Sequence, residues 1–218
     1  MNTQPASSIL LPIDILKRTL RLFWDELFLL GLAGYLWMLL GIFILPIAPL
    51  TAGLFYVTNQ VAQGNVISFK LQFQAARRFL SRSLVWGAIN ALAGVFVWAD
   101  LSYYQQLNGQ LGTALLTLLL LLVLAWSVIQ VFVLGWLVEL GPRRLRAAFR
   151  QAFVIVVTQP LFVVVLLIVL ALLAVICWYL PIVLGYAIAF LALIVNVAIV
   201  QWQTLDRAQQ AADQQSRK

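Results

Sequence analysis

The strongest constraint in this 218-residue chain is a short basic stretch, residues 139–153, set between two long uncharged ones. Residues 113–138 carry no charge, and neither do residues 151–203. Between them Arg143, Arg144, Arg146 and Arg150 fall within eight residues. Such a cluster between apolar runs reads as a cytoplasmic turn, because Lys and Arg near span ends resist transfer across a bilayer. The scheme recurs twice. Lys17, Arg18 and Arg21 precede an apolar run at 27–45, and Lys70, Arg77, Arg78 and Arg82 precede another at 83–101.

Composition agrees with the pattern. The chain is 64% hydrophobic and 10% charged, with a mean hydropathy of +1.00. A soluble domain is roughly 45–50% apolar and about 25% charged, so an integral membrane protein is the class that fits. The net charge of +7 would suggest nucleic acid in a soluble protein. Here the bases sit at span ends, which favours topology and anionic lipid and argues against nucleic acid. The chain has no histidine and one cysteine, Cys177, within an apolar run. An intramolecular disulfide and a cysteine metal site are therefore excluded, and no cofactor is expected.

Taken in order, residues 9–24 read as an amphipathic helix opening at Pro12. Ile9, Ile13, Leu16, Leu20 and Phe23 share one face, and Asp14, Lys17, Arg18 and Arg21 share the other. It would lie in the membrane interface; the plainer alternative is a basic leader that only sets orientation. Residues 27–45 read as an uncleaved first span, with Gly31, Gly34 and Gly41 on one side, ended by Pro46 and Pro49. Residues 49–64 are short and polar for a span. Counting them as a second crossing places every basic segment on one side, and turns Ala52, Tyr56, Asn59 and Gln63 towards the bundle.

Residues 66–82 form the second basic amphipathic segment, running on into a third span at 83–101. The small residues Ser83, Gly87, Ala91 and Gly94 flank Asn90 on one packing face. A fourth span at 113–138 holds Gln130. The third basic segment, 142–150, leads to a fifth span at 157–179 with Pro160 in its first turn. A sixth span, 183–203, carries Gly185, Ala189, Ala192 and Asn196 on one face, followed by a polar tail at 204–218 expected to fray. The expectation is one all-α membrane domain, 1–218, of about six spans. They form three hairpins, each preceded by a basic interfacial segment, with both termini cytoplasmic.

Chemistry has little to work with. The seven acids are Asp14, Asp25, Glu26, Asp100, Glu139, Asp206 and Asp213, and none falls at mid-span. Glu139 reads as the i,i+4 partner of Arg143. No phosphate loop, metal spacing or nucleophile elbow occurs, so no enzyme is expected. What remains is a set of intramembrane amides, Asn59, Gln63, Asn90, Gln130 and Asn196. They either line a polar path or tie helices together at about 1 kcal/mol each. Asn90 and Asn196, both in small-residue stripes, are the candidates for a shared feature. Lys17, Arg18, Arg21, Arg77, Arg78, Arg143, Arg144, Arg146 and Arg150 are the candidates for docking lipid or a partner.

The run Pro49-Leu50-Thr51-Ala52-Gly53-Leu54-Phe55-Tyr56-Val57-Thr58, then Gly64 and a basic segment with Phe69, Phe73 and Phe79, resembles the YesL-like family of bacterial integral membrane proteins. Residues 40–82 carry the resemblance. The chain departs from the family at Gln63-Gly64-Asn65, where charged residues are more usual. The family has no assigned function and no functional residues to transfer. It is often encoded beside sugar ABC-transporter components, which implies a bacterial plasma-membrane protein that assists carbohydrate uptake beside a transporter permease. The alternative is a small carrier or channel for an uncharged polar solute, with Asn59, Asn90 and Asn196 along its path.

Overall fold

A computed structural model describes residues 12–41, 47–106, 110–141, 144–180 and 183–216. Among the described residues every regular element is helical: α1 Pro12–Asp25, α2 Leu27–Gly41, α3 Ile47–Ala62, α4 Phe69–Tyr104, α5 Gln110–Leu140, α6 Leu145–Thr158, α7 Pro160–Tyr179 and α8 Leu184–Ser216. Four of these, α4, α5, α7 and α8, are long and apolar enough to cross a membrane. Counting the bent pair α1 and α2 as one broken span makes five. With 15 and 16 residues, α2 and α3 reach only about 22–24 Å, short of a hydrocarbon core of roughly 30 Å.

The three basic segments join their apolar runs in three different ways. In the first, α1 meets α2 at 89°, although the bonds Glu26 N to Leu22 O (3.1 Å) and Leu30 N to Glu26 O (2.9 Å) carry the ladder through the bend. In the second there is no joint: α4 runs for 36 residues, about 54 Å. In the third, α6 ends at Thr158 and α7 restarts at Pro160, whose missing amide hydrogen cannot continue the ladder. The third basic helix therefore reaches beyond the expected 142–150, and the span after it opens at 160. The tail also differs from expectation: α8 stays helical to Ser216.

Glycine sets the closest approaches. A Cβ on Gly34 would strike the carbonyl of Gly185, and one on Gly31 would strike the ring of Tyr186. Backbones of α2 and α8 thus touch where both lack side chains. Tyr186 then stacks edge-on against Tyr35, with ring centroids 5.2 Å apart. A Cβ on Gly53 would lie 2.6 Å from Gln72 O, and one on Gly87 would lie 2.9 Å from Ala48 Cβ. So α3 runs antiparallel to residues 72–87 of α4. The exposed side of that same stretch carries Arg77, Arg78 and Arg82.

The packing face expected at Ser83, Gly87, Asn90, Ala91 and Gly94 is only half used. Ser83 is buried, but Ala91 is exposed and a Cβ on Gly94 would meet nothing. The reason is length: α3 begins beside Gly87, so the rest of α4 has no α3 to pack against. The core lies where α2, α3, α8 and the second half of α5 meet, around Leu30, Leu54, Phe132, Leu137, Leu193 and Ile199.

Candidate functional site

Two amide clusters stand out. The first joins α3, α5 and α8. Asn59 Nδ2 donates to Glu139 Oε2 at 2.9 Å, and Gln63 Nε2 donates to the same oxygen at 3.1 Å and to Asn59 Oδ1 at 2.9 Å. Asn59 Nδ2 also approaches Asn196 Oδ1 at 3.4 Å. Asn196 Nδ2 lies within reach of Thr58 Oγ1 (2.9 Å), Ala192 O (2.9 Å) and Phe55 O (3.1 Å). Asn196 is fully buried and Asn59 nearly so, whereas Gln63 sits at the exposed edge. The local reason is helical spacing. Asn59, in the last turn of α3, and Gln63, just past its end, are four residues apart and reach the same carboxylate, and Gly135, one turn before Glu139, lets α8 close in: a Cβ there would meet Ile199 Cδ1 at 2.5 Å.

The second cluster joins α4 and α5. Trp86 Nε1 donates to Gln130 Oε1 at 2.7 Å, and Asn90 Nδ2 donates to Trp86 O (2.9 Å) and Gln130 Oε1 (3.3 Å). Trp126 Nε1 donates to Asn90 Oδ1 at 3.3 Å. Gln130 Nε2 is buried without a partner among the described residues.

The five expected amides are therefore brought together in two groups, not one. Asn90 and Asn196, the two candidates for a shared feature, fall in different clusters. Asn90 lies beyond the start of α3 and reaches across to α5, while Asn196 faces α3. The sequence pairs Glu139 with Arg143, which lies outside the described residues; among the described residues Glu139 accepts from Asn59 and Gln63. The i,i+4 spacing hid this role. Its one visible signal is that Glu139 closes an uncharged run of 38 residues, 101–138.

The basic residues gather at one end of the bundle. There α3 ends in a Schellman motif: Gly64, at φ +77°, lets Asn65 N reach Gln60 O (2.9 Å) and Gly64 N reach Val61 O (3.0 Å). The next orphan carbonyl, Ala62 O, accepts from an Arg18 Nη2 at 3.0 Å. Arg18 thus docks α1 across the α3 C-terminus, where a cation is favoured. From the same end α4 departs at Phe69, and α5 arrives at Glu139 before α6 leaves with Arg144, Arg146 and Arg150 exposed. Lys17, Arg21, Arg77 and Arg78 are exposed too. The apolar arc of α1 is divided. Ile15 and Thr19 are buried against the bundle, while Ile13 (67% exposed) and Trp24 (73% exposed) face outward beside Lys17 and Arg21.

Among the described residues no three side chains of the His, Cys, Asp or Glu type converge to hold a metal ion. The class this architecture defines is an all-helical chain with several helices long and apolar enough to cross a membrane, as multi-pass membrane proteins have. Comparison with family models, with curated proteins and with solved structures finds no match for the chain.

Proposed function

We propose that this is a non-enzymatic, multi-pass protein of a bacterial plasma membrane that assists or regulates a membrane transport system. Its basic end docks anionic lipid or a partner such as a transporter permease. The observation that carries the reading is the convergence of all three basic segments on one end of the bundle, with Arg18 tied to Ala62 and Glu139 tied to Asn59. Exposed Arg144, Arg146 and Arg150 then face the compartment where positive charge is retained. In this reading α4, α5, α7 and α8 cross the membrane, α2 and α3 turn back beside the stretch of α4 that exposes Arg77, Arg78 and Arg82, and both termini lie on the basic side. The resemblance of residues 40–82 to YesL-like proteins points to carbohydrate uptake as the system assisted.

A carrier path through Asn59, Asn90 and Asn196 has less support, because these side chains are engaged helix to helix and fall in separate clusters. The deciding experiment is recovery of the protein from native membranes in mild detergent at natural expression level, read by mass spectrometry. Near-stoichiometric permease subunits, lost when Arg144, Arg146 and Arg150 become Gln, are the expected result. Recovery of the protein alone, or only with itself, would sink the accessory role.

A further inference from the structure

Beyond Gly87, α4 separates from α3 and, among the described residues, packs against α5. The two helices leave between them an open cavity of about 580 Å³, lined by residues that include Gly94, Val97, Leu122 and Trp126 with Asn90 and Asp100. Its volume lies in the range of small-molecule sites, and its walls have their composition: mostly apolar, with a few polar groups. Those polar groups differ in one respect. Asn90 and Trp126 bond to each other, and Asn90 also bonds Trp86 O and Gln130. Ser127 Oγ donates to Val123 O at 2.8 Å. Asp100 is half-buried, and no hydrogen bond or ion pair holds it among the described residues.

The uncommitted polar group of the cavity is thus one carboxylate, one turn before the end of α4 and close to Trp98, Tyr103 and Tyr104. Aromatic residues of this kind mark the level where a bilayer meets water. A half-buried carboxylate gains from an opposite charge brought beside it, and more so where water is scarce. The rest of the cavity offers apolar surface and an indole face, which attract the body and the charge of an organic cation respectively.

We infer that the α4–α5 cavity is a binding site for a monovalent amphipathic cation, its apolar body between Gly94 and Leu122 and its charge against Asp100. An acyl chain or an apolar helix face could fill the same space, but neither would engage the carboxylate of Asp100.

The test uses the full chain in nanodiscs of zwitterionic phosphatidylcholine, with radiolabelled tetraphenylphosphonium as the probe and empty nanodiscs as the blank for partition. One saturable site per chain is expected. Asp100→Asn should weaken it by at least about tenfold, corresponding to about 1.4 kcal/mol. Gly94→Leu should remove it, since the new side chain enters open space in the cavity. Asp206→Asn, on the exposed tail of α8, should leave it unchanged. Gel filtration and circular dichroism check that each variant is folded; neither Gly94 nor Asp100 holds a contact whose loss would unfold the chain. Absence of saturable binding to the wild type would overturn the site. So would binding that survives Gly94→Leu. Binding lost in Gly94→Leu but unchanged in Asp100→Asn would show a site that takes apolar bodies regardless of charge, and would overturn the cation.

Discussion

Asn59 and Glu139 lie 80 positions apart and share a 2.9 Å hydrogen bond, with Gln63 giving a second bond to the same oxygen. One carboxylate thus holds the end of α5 to the last turn of α3. The bond fixes where the basic end of the bundle closes.

Glu139→Leu leaves two amide donors without their acceptor. Each unmet donor costs about 1–3 kcal/mol when buried and less at an exposed edge, so the buried Asn59 should dominate. Thermal unfolding in detergent should show a clear loss for Glu139→Leu and a smaller one for Glu139→Gln, which keeps an oxygen in place. A double-mutant cycle with Asn59→Leu should return a coupling of about 0.5–2 kcal/mol.

Asn90 and Asn196 belong to clusters that share no partner. The two changes Asn90→Leu and Asn196→Leu should therefore add in unfolding free energy to within about 0.5 kcal/mol. A larger departure would mean that α5 transmits strain between Gln130 and Gly135.

Glycine positions offer a paired comparison. Gly34→Ala drives a methyl into the Gly185 carbonyl, which is backbone and cannot swing away. A loss of at least about 1–3 kcal/mol is expected from such overpacking. Gly94→Ala meets nothing and should be neutral or gain up to about 1 kcal/mol of helix propensity. Melting curves of the two variants side by side test this.

Arg18 and Lys17 are neighbours with different roles. Arg18→Gln removes the bond to Ala62 O and should lower stability by about 0.5–1.5 kcal/mol. Lys17→Gln should leave stability unchanged and instead weaken association with phosphatidylglycerol vesicles, since Lys17 faces outward beside Leu20 and Trp24. Vesicle co-flotation of solubilised protein and thermal melts separate the two effects.

The path of α2 and α3 is open to direct labelling. Ile47, partly exposed at the start of α3, can be replaced by Cys in a Cys177→Ala background. If α2 and α3 turn back, a membrane-impermeant maleimide should reach it only after the inner face is opened. Labelling from outside intact cells would show that α2 and α3 cross twice, giving six crossings.

Much of this architecture is legible in the chain itself, because it depends on properties local to one helix. The restart of α7 at Pro160 and the apolar stretches of α4, α5, α7 and α8 follow from proline chemistry and from hydropathy along a single segment. The clustering of bases beside those stretches is equally local. The partners of the amides are not. Helices such as α2 and α7 are apolar all round, and lipid makes their faces equivalent, so hydropathy cannot say which side meets which neighbour. That choice rests on where two backbones come close. Gly34 against Gly185, Gly53 against Gln72 and Gly135 against Ile199 set the rotation and depth of each helix. Those contacts placed Asn196 against α3, left Asn90 to α5, and brought Glu139 to Asn59. Charge and periodicity along the chain determined what kind of protein this is. Only the close packing of distant helices decided which polar groups meet.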